Sequence, residues 1–229
     1  MPGPIHLRPH EDVAERVLLP GDPGRALRLA QQLLDAPKML NHHRGLWGYT
    51  GAAADGAPLT IQSTGLGGPS AAIVTEELIG LGARRLVRVG SCGAVADLPL
   101  GSLVIPEAVR ARDGASRALG APDELPADPG LLAALRAAAD GAAAGVVVST
   151  DLYYDPARET DDAVALDLTV GAVFAVAARH GVAAAAVLAV SDSLGDGRRI
   201  EPDALEAAEV ELGRTGAAAL LDPERVVAD

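Results

Sequence analysis

The chain has 229 residues, of which 49% are hydrophobic and only 2% aromatic, and its formal net charge is −12. This length suffices for a sizeable core, which must be built from aliphatic side chains, and we predict a single domain over residues 1–229. The acidic balance argues against nucleic acid or an anionic membrane as the main partner. The single cysteine excludes a disulfide framework and a cysteine-based zinc site.

The N-terminal segment does not resemble a secretory signal, because it lacks a charged region followed by an apolar one. No uncharged apolar run approaches the roughly 20 residues needed to span a bilayer. We therefore expect a soluble cytoplasmic protein with no membrane partner.

Short apolar runs alternate with helical patterns along the chain. Strands are predicted at residues 16–20, 59–63, 85–89, 102–105, 145–148, 164–168 and 183–190. Helices are predicted at residues 24–34, 69–81, 169–180 and 202–221. This alternation predicts an α/β domain with a central mixed, largely parallel β-sheet flanked by helices. The stretch 114–129, rich in Ala, Pro, Asp and Gly, is the most loop-like region.

Four motifs fall at the ends of predicted strands, where open α/β sheets bind their ligands. In the first, residues 19–25, Gly21 lets the backbone approach an anion and Arg25 lies in the first turn of the next helix. The alternative is an ordinary Pro-Gly turn with a solvent-facing arginine. The second motif, residues 63–70, is a Gly-rich turn. A dinucleotide fingerprint is disfavoured there, because Ser70 replaces its third glycine, so an anion or sugar cradle and a purely structural turn both stay open.

The third motif places Arg88 in an apolar strand just before Ser91. A buried arginine needs a counter-anion, and a guanidinium beside a hydroxyl and free backbone N–H groups suits a phosphate. The alternative is an internal salt bridge to a carboxylate. The spacing of glycines around Ser91 does not fit a nucleophile elbow, so serine hydrolysis is disfavoured.

The fourth motif is Asp192, which ends the most apolar predicted strand. A carboxyl group in such a place is a candidate for a raised pKa and for general-acid catalysis. The alternative is a carboxylate that caps the following turn.

Taken in order, residues 17–26, 41–51, 65–77 and 88–94 make the chain resemble the nucleoside phosphorylase superfamily, and most closely the hexameric purine nucleoside phosphorylases. The resemblance covers almost the whole chain. It implies phosphorolysis of a purine nucleoside to free base and pentose 1-phosphate by a pentosyltransferase. Inorganic phosphate would be the co-substrate, with no metal and no other cofactor.

The resemblance also implies roles for individual residues. Asp192 would be the general acid that protonates the purine at N7. Arg44 would reach the phosphate of a neighbouring subunit and His6 a neighbour's ribose, so a dimer-based homo-oligomer, in the family usually a hexamer, is expected. The phosphate ligands would be Gly21, Arg25, Arg44, Arg88 and Ser91. The nucleoside contacts would come from His6, Cys92, Gly93, Tyr153, Asp167, Leu168 and Thr169.

Two segments depart from the family pattern. Thr169 stands where a glutamate is expected to bind the ribose 2′- and 3′-hydroxyls, and Leu168 replaces a methionine. After Asp192 the usual spacing to the arginine that assists the general acid is not kept, so Arg199 or Arg198 would have to take that role.

Three hypotheses about function follow. The first is a purine nucleoside phosphorylase with altered sugar recognition. The second is a uridine-type phosphorylase or a nucleoside hydrolase on the same fold. The third is a non-catalytic member of the family that binds a nucleoside or phosphate.

Overall fold

The computed structural model describes residues 3–157, 159–160 and 162–222. The strands are β1 (Arg16–Pro20), β2 (Asp35–Asn41), β3 (Gly48–Ala52), β4 (Pro58–Gln62), β5 (Arg85–Ala94), β6 (Leu103–Ala111), β7 (Glu124–Pro126), β8 (Ala143–Ser149), β9 (Ala165–Asp167) and β10 (Ala183–Ser193). The helices are α1 (Pro23–Leu33), α2 (Gly68–Gly80), α3 (Gly114–Ala118), α4 (Pro129–Ala138), α5 (Val170–His180) and α6 (Pro202–Ala218), and a 3₁₀ turn covers His43–Gly45.

The ten strands of the described residues belong to one mixed sheet, as the sequence predicts. Its order is β10-β6-β8-β9-β5-β1-β4-β3-β2, with β7 attached to β6. Because β10 also pairs with β5, these two strands close a ring with β6, β8 and β9. The pairs β1–β4, β1–β5, β5–β10, β6–β8 and β8–β9 are parallel, and the other pairs are antiparallel.

The core lies around β1, β5 and β10. These strands are almost continuously apolar, which is typical of parallel strands covered on both faces, and Leu18, Val87 and Val187 are fully buried. The helix α1 begins directly after β1, where the Asp22 side chain accepts a hydrogen bond from the Arg25 backbone N–H and Pro23 occupies the first turn. The chain is thereby turned so that the residues following β1 lie beside the carboxyl end of β5.

Each of the seven predicted strands and four predicted helices is present. The description of residues 114–129 as loop-like is wrong, because that stretch holds α3, β7 and the start of α4. Asp113 caps α3 by accepting from the Ser116 backbone N–H, and β7 is stabilised by pairing with β6. The local composition could not show that edge pairing. Nowhere in the described ranges is there a helix of the length and hydropathy needed to cross a membrane.

Candidate active site

A cavity of about 470 Å³ lies at the carboxyl ends of β5, β9 and β10. It brings together residues that the sequence analysis took from four separated segments. The predicted site residues that line it are Arg88, Ser91, Cys92, Tyr153, Asp167, Leu168, Thr169, Asp192 and Arg199. Because these side chains come from segments far apart in the chain, the closed ring of strands is what assembles the cavity.

Arg88 is buried beneath one end of this cavity. Its Nη1 donates to the carbonyl oxygens of Leu19, at 2.8 Å, and Val89, at 3.1 Å. The guanidinium lies against two glycines, since a Cβ built on Gly21 or Gly90 would come within 3.1 or 2.7 Å of Nη2. A side chain at position 90 would therefore displace the Arg88 guanidinium, and one at position 21 would lie in tight contact with it.

The charge of Arg88 has no direct ionic partner within the described part of the chain. No described carboxylate lies within ion-pair distance of its guanidinium, and its buried Nε has no hydrogen-bond partner there. Burial lowers the pKa of Arg88 to about 10, with the Asp167 charge opposing that change and the Arg25 charge adding to it. Arg88 thus stays a cation at neutral pH, and the alternative of an internal salt bridge is not what the structure shows.

Arg25, in the first turn of α1, is also buried, so the alternative of a solvent-facing arginine is wrong. Its Nη2 donates to Oε1 of Glu209 at 2.6 Å, and its buried Nε has no partner among the described residues. Arg25 does not line the cavity itself. It lies close enough to Arg88 for the two charges to interact.

The last residues of β5 form one wall of the cavity. Burial, with the charges of Asp167 and Asp192 adding to it, raises the pKa of the Cys92 thiol, so this side chain is a neutral wall and not a nucleophile. A Cβ on Gly93 would lie 3.0 Å from Oδ2 of Asp192. Because position 93 is a glycine, no side chain there crowds the Asp192 carboxylate.

Asp192 lies near the end of β10, and its carboxylate is held by two hydroxyl groups. Its Oδ2 accepts from the Tyr153 hydroxyl, and its Oδ1 accepts from Ser191 Oγ at 2.8 Å. Both partners are side chains, so the carboxylate does not serve as a cap of the following turn. Asp192 also forms an isolated β-bridge with Arg199.

The structure distinguishes the two arginines that follow Asp192. Both are exposed, but Arg199 lines the cavity with Asp192, whereas Arg198 donates from Nε to Asp196 Oδ2 at 2.5 Å. Of the two candidates, Arg199 is thus the one that lies in the cavity with Asp192, and its role there stays a prediction.

The segment between β9 and α5 forms the opposite wall. Asp167 is buried and accepts from the Ser149 hydroxyl and from the backbone N–H groups of Thr169, at 2.8 Å, and Val170, at 2.9 Å. Burial raises its pKa although these hydrogen bonds and the Arg88 charge oppose the shift. Asp167 thus accepts hydrogen bonds from the start of α5, and it lines the cavity together with Leu168 and Thr169.

His6 and Arg44 do not line this cavity. Nδ1 of His6 lies 2.8 Å from Oε1 of Glu77, whose carboxylate also accepts from the backbone N–H groups of residues 5–7. Arg44 is exposed in the 3₁₀ turn with a positive φ of 59°. Their assignment to a neighbouring subunit's site stays a prediction.

Leu66, from the second sequence motif, and Tyr154, from the aromatic pair that resembles the family's base-contacting segment, also line the cavity. Sequence reasoning missed Ile200 and Leu205, which line the cavity as well, and Glu209, which binds Arg25. No signal in the sequence could identify Glu209, because it lies in the middle of a helix 184 residues from its partner.

Comparison with known proteins agrees with this geometry. Residues 15–222 match the model of the phosphorylase superfamily. The chain is 37% identical over 199 residues to a DeoD-type purine nucleoside phosphorylase of Jannaschia sp. (strain CCS1), with 80% of this chain and 84% of the relative covered. It is 36% identical to a guanosine phosphorylase of Halorubrum lacusprofundi, with 82% of each covered. A uridine phosphorylase of Treponema pallidum is 40% identical over 150 residues, which cover 62% of this chain and 57% of the relative.

The chain therefore belongs to the phosphorylase superfamily. Its α/β fold with a mixed ten-stranded sheet agrees with that membership, and its relatives are named as nucleoside phosphorylases, which are pentosyltransferases.

Proposed function

We propose that the protein catalyses the phosphorolysis of a purine nucleoside, releasing the free base and a pentose 1-phosphate. The observation that supports this proposal is that Arg88 and Ser91, on β5, and Asp192, on β10, line one cavity. Phosphate held by the first pair would attack C1′ of the sugar. Asp192 would protonate N7, so that the base leaves as a neutral molecule.

The arrangement assigns a separate task to each part of the cavity. The Arg88 guanidinium supplies fixed positive charge for the phosphate without needing to reorganise during the reaction. The Tyr153 and Ser191 hydroxyls orient the Asp192 carboxyl group, and Arg199 lies beside it. Inorganic phosphate is the co-substrate in this scheme, and the steps described require no metal or organic cofactor.

Sugar recognition differs from that of an ordinary ribonucleoside enzyme in our proposal. Thr169 lines the cavity where the resemblance implies a glutamate that binds the ribose hydroxyls, and the nearby Asp167 is engaged in capping α5. A nucleoside with a deoxygenated or otherwise modified ribose would suffer less from the absent carboxylate.

Asp192→Asn tests the role of the acid. We expect turnover of inosine or adenosine to fall by about 10²–10⁴-fold, the usual range for a general acid. Phosphorolysis of 7-methylguanosine, whose base is already cationic, should be nearly unaffected. Equal losses on both classes of substrate would contradict the assignment of Asp192.

A nucleoside panel assayed with and without phosphate tests the reaction type. We expect release of a purine base only when phosphate is present, with 2′-deoxynucleosides included in the panel. Base release without phosphate would indicate a hydrolase. Faster cleavage of uridine than of any purine nucleoside would favour the uridine-type alternative, which the partial match to a uridine phosphorylase supports. Tight binding without cleavage would indicate a non-catalytic protein.

We further propose a cytoplasmic homo-oligomer, a hexamer built from dimers, in which Arg44 completes a neighbour's phosphate site. Its exposure on a turn away from its own cavity supports this proposal. Sedimentation analysis gives the oligomeric state. Mixing Arg44→Ala subunits with Arg88→Gln subunits should restore part of the activity that each variant lacks alone, because some mixed dimers then contain one intact site.

A further inference from the structure

Glu209, on α6, has a buried carboxylate that binds the two arginines of α1. Its Oε1 accepts from Arg25 Nη2 at 2.6 Å, and its Oε2 accepts from Arg28 Nη2. Glu209 and Arg25 are both almost fully buried, whereas Arg28 is partly exposed. The only two arginines of α1 are thus both held by one acidic side chain from the far end of the chain.

The protein around Arg25 is short of hydrogen-bond acceptors except for this carboxylate. Within the described ranges, the buried Nε atoms of Arg25 and Arg88 both lack a partner. Burial is the main cause of the lowered pKa of Arg88, and the positive charge of Arg25 lowers that pKa further. The two arginine charges therefore repel each other. Two neighbouring guanidinium groups with unused N–H donors are suited to bind an anion. Glu209 already accepts a hydrogen bond from one of the N–H groups of Arg25.

We propose that Glu209 is a specificity-determining residue that competes with phosphate for Arg25 and so sets the affinity of the site for phosphate. A carboxylate and a phosphate oxygen bind a guanidinium in the same way, and two anions on one buried guanidinium repel each other. Phosphate therefore has to displace Glu209 from Arg25 or bind against its negative charge. The inference rests on the proposed function, since it takes phosphate as the co-substrate.

Glu209→Gln is the primary test, because glutamine keeps the size and one acceptor oxygen but removes the charge. We expect the KM for phosphate to fall about tenfold, with the KM for the nucleoside changed less than about twofold. An unchanged or raised KM for phosphate would overturn the proposal, since Glu209 would then only hold Arg25 in place.

The Arg25→Gln background shows whether Glu209 acts through Arg25. There, adding Glu209→Gln should change the KM for phosphate by less than about twofold, because the contested guanidinium is gone. If the tenfold tightening persists in the double variant, the carboxylate acts only through its distant charge, and the competition mechanism is wrong.

Arg28→Gln provides a matched variant in case Glu209→Gln does not fold. It removes the second partner of Glu209 and leaves the carboxylate to Arg25 alone. Competition predicts a KM for phosphate raised a few-fold. An unchanged or lowered KM would count against it.

Isothermal titration of each variant with inorganic phosphate separates this proposal from the proposed function. If no purine nucleoside is cleaved but Glu209→Gln still tightens phosphate binding, the competition stands and the proposed reaction is wrong. If phosphorolysis occurs and the variant binds phosphate like the wild type, the reaction stands and the competition is wrong.

Discussion

Two buried arginines lie on the neighbouring central strands β1 and β5, and they differ in how many of their donors the protein uses. Arg16, at the start of β1, uses all five N–H donors: Nε donates to the Pro58 carbonyl, and Nη1 and Nη2 donate to both Asp55 oxygens and to the carbonyls of Leu220 and Ala57.

Arg88, on β5, donates only through Nη1 to two carbonyl oxygens among the described residues. Its Nε has no partner there. Two arginines that look alike in an apolar strand thus differ in their unused donors, and that difference separates a structural arginine from one that can take a ligand.

The largest loss of stability should come from removing the charged partner of Arg16, the arginine whose donors are all used. Asp55→Asn leaves the buried Arg16 without its counter-charge, and we expect a loss of about 3–5 kcal/mol in the free energy of unfolding, measured by denaturant titration. Glu107→Gln is the matched control, because it breaks the exposed pair with Arg136 and exposed pairs contribute at most about 1 kcal/mol. Similar losses in both variants would remove the distinction.

Arg88→Gln should instead lower activity and leave stability almost unchanged. We expect kcat/KM for phosphorolysis to fall by about 10²–10³-fold, as for other fixed donors at a site of developing charge. The free energy of unfolding should change by less than about 1 kcal/mol, because few protein contacts are lost. A destabilisation as large as that of Asp55→Asn would show that Arg88 is structural too.

Thr169→Glu extends the comparison to the sugar end of the cavity. Restoring a carboxylate should raise kcat/KM for ribonucleosides by about 10- to 100-fold, since a charge-assisted hydrogen bond contributes about 1.5–3 kcal/mol. Steady-state kinetics on inosine and 2′-deoxyinosine would measure the change, with Thr169→Gln as the uncharged control. No gain with inosine, or an equal gain with both variants, would contradict the role of position 169.

The smallest expected effect is the loss of stability between neutral pH and about pH 4. The hydrogen bond from Arg16 holds the pKa of the Asp55 carboxyl well below its ordinary value, although burial opposes the shift. A lowered folded-state pKa gives stability that is present above the unfolded pKa and is lost as pH falls. Between pH 7 and about pH 4 the loss is only about 0.4 kcal/mol, and it approaches about 1.4 kcal/mol per unit below that. Urea titrations of wild type and Asp55→Asn at several pH values should show a steeper loss in the wild type, because Glu77 and Asp196, whose pKa values are also lowered, titrate in both proteins. Equal slopes in the two proteins would contradict the contribution of Asp55.

Much of the site could be predicted from sequence because its residues are tied to short local signals. Gly21 follows an apolar strand, Arg88 lies within one and Asp192 lies near the end of one, and strand ends in α/β sheets are where ligands bind. The sequence could not show whether Arg198 or Arg199 lies beside Asp192, because this depends on the backbone bridge that Arg199 forms with Asp192.

The sequence by itself determined the fold class, the order of the main strands and helices, and the motifs that carry positive charge to strand ends, because periodicity and turn residues are local properties. Only the tertiary structure decided which arginines keep free donors, since the partners of Arg16 and Arg25 lie 39 and 184 residues away. It also decided that Tyr153 meets Asp192 and that Glu209 binds Arg25. These contacts arise from strand pairing and helix packing between distant segments, which no local pattern records.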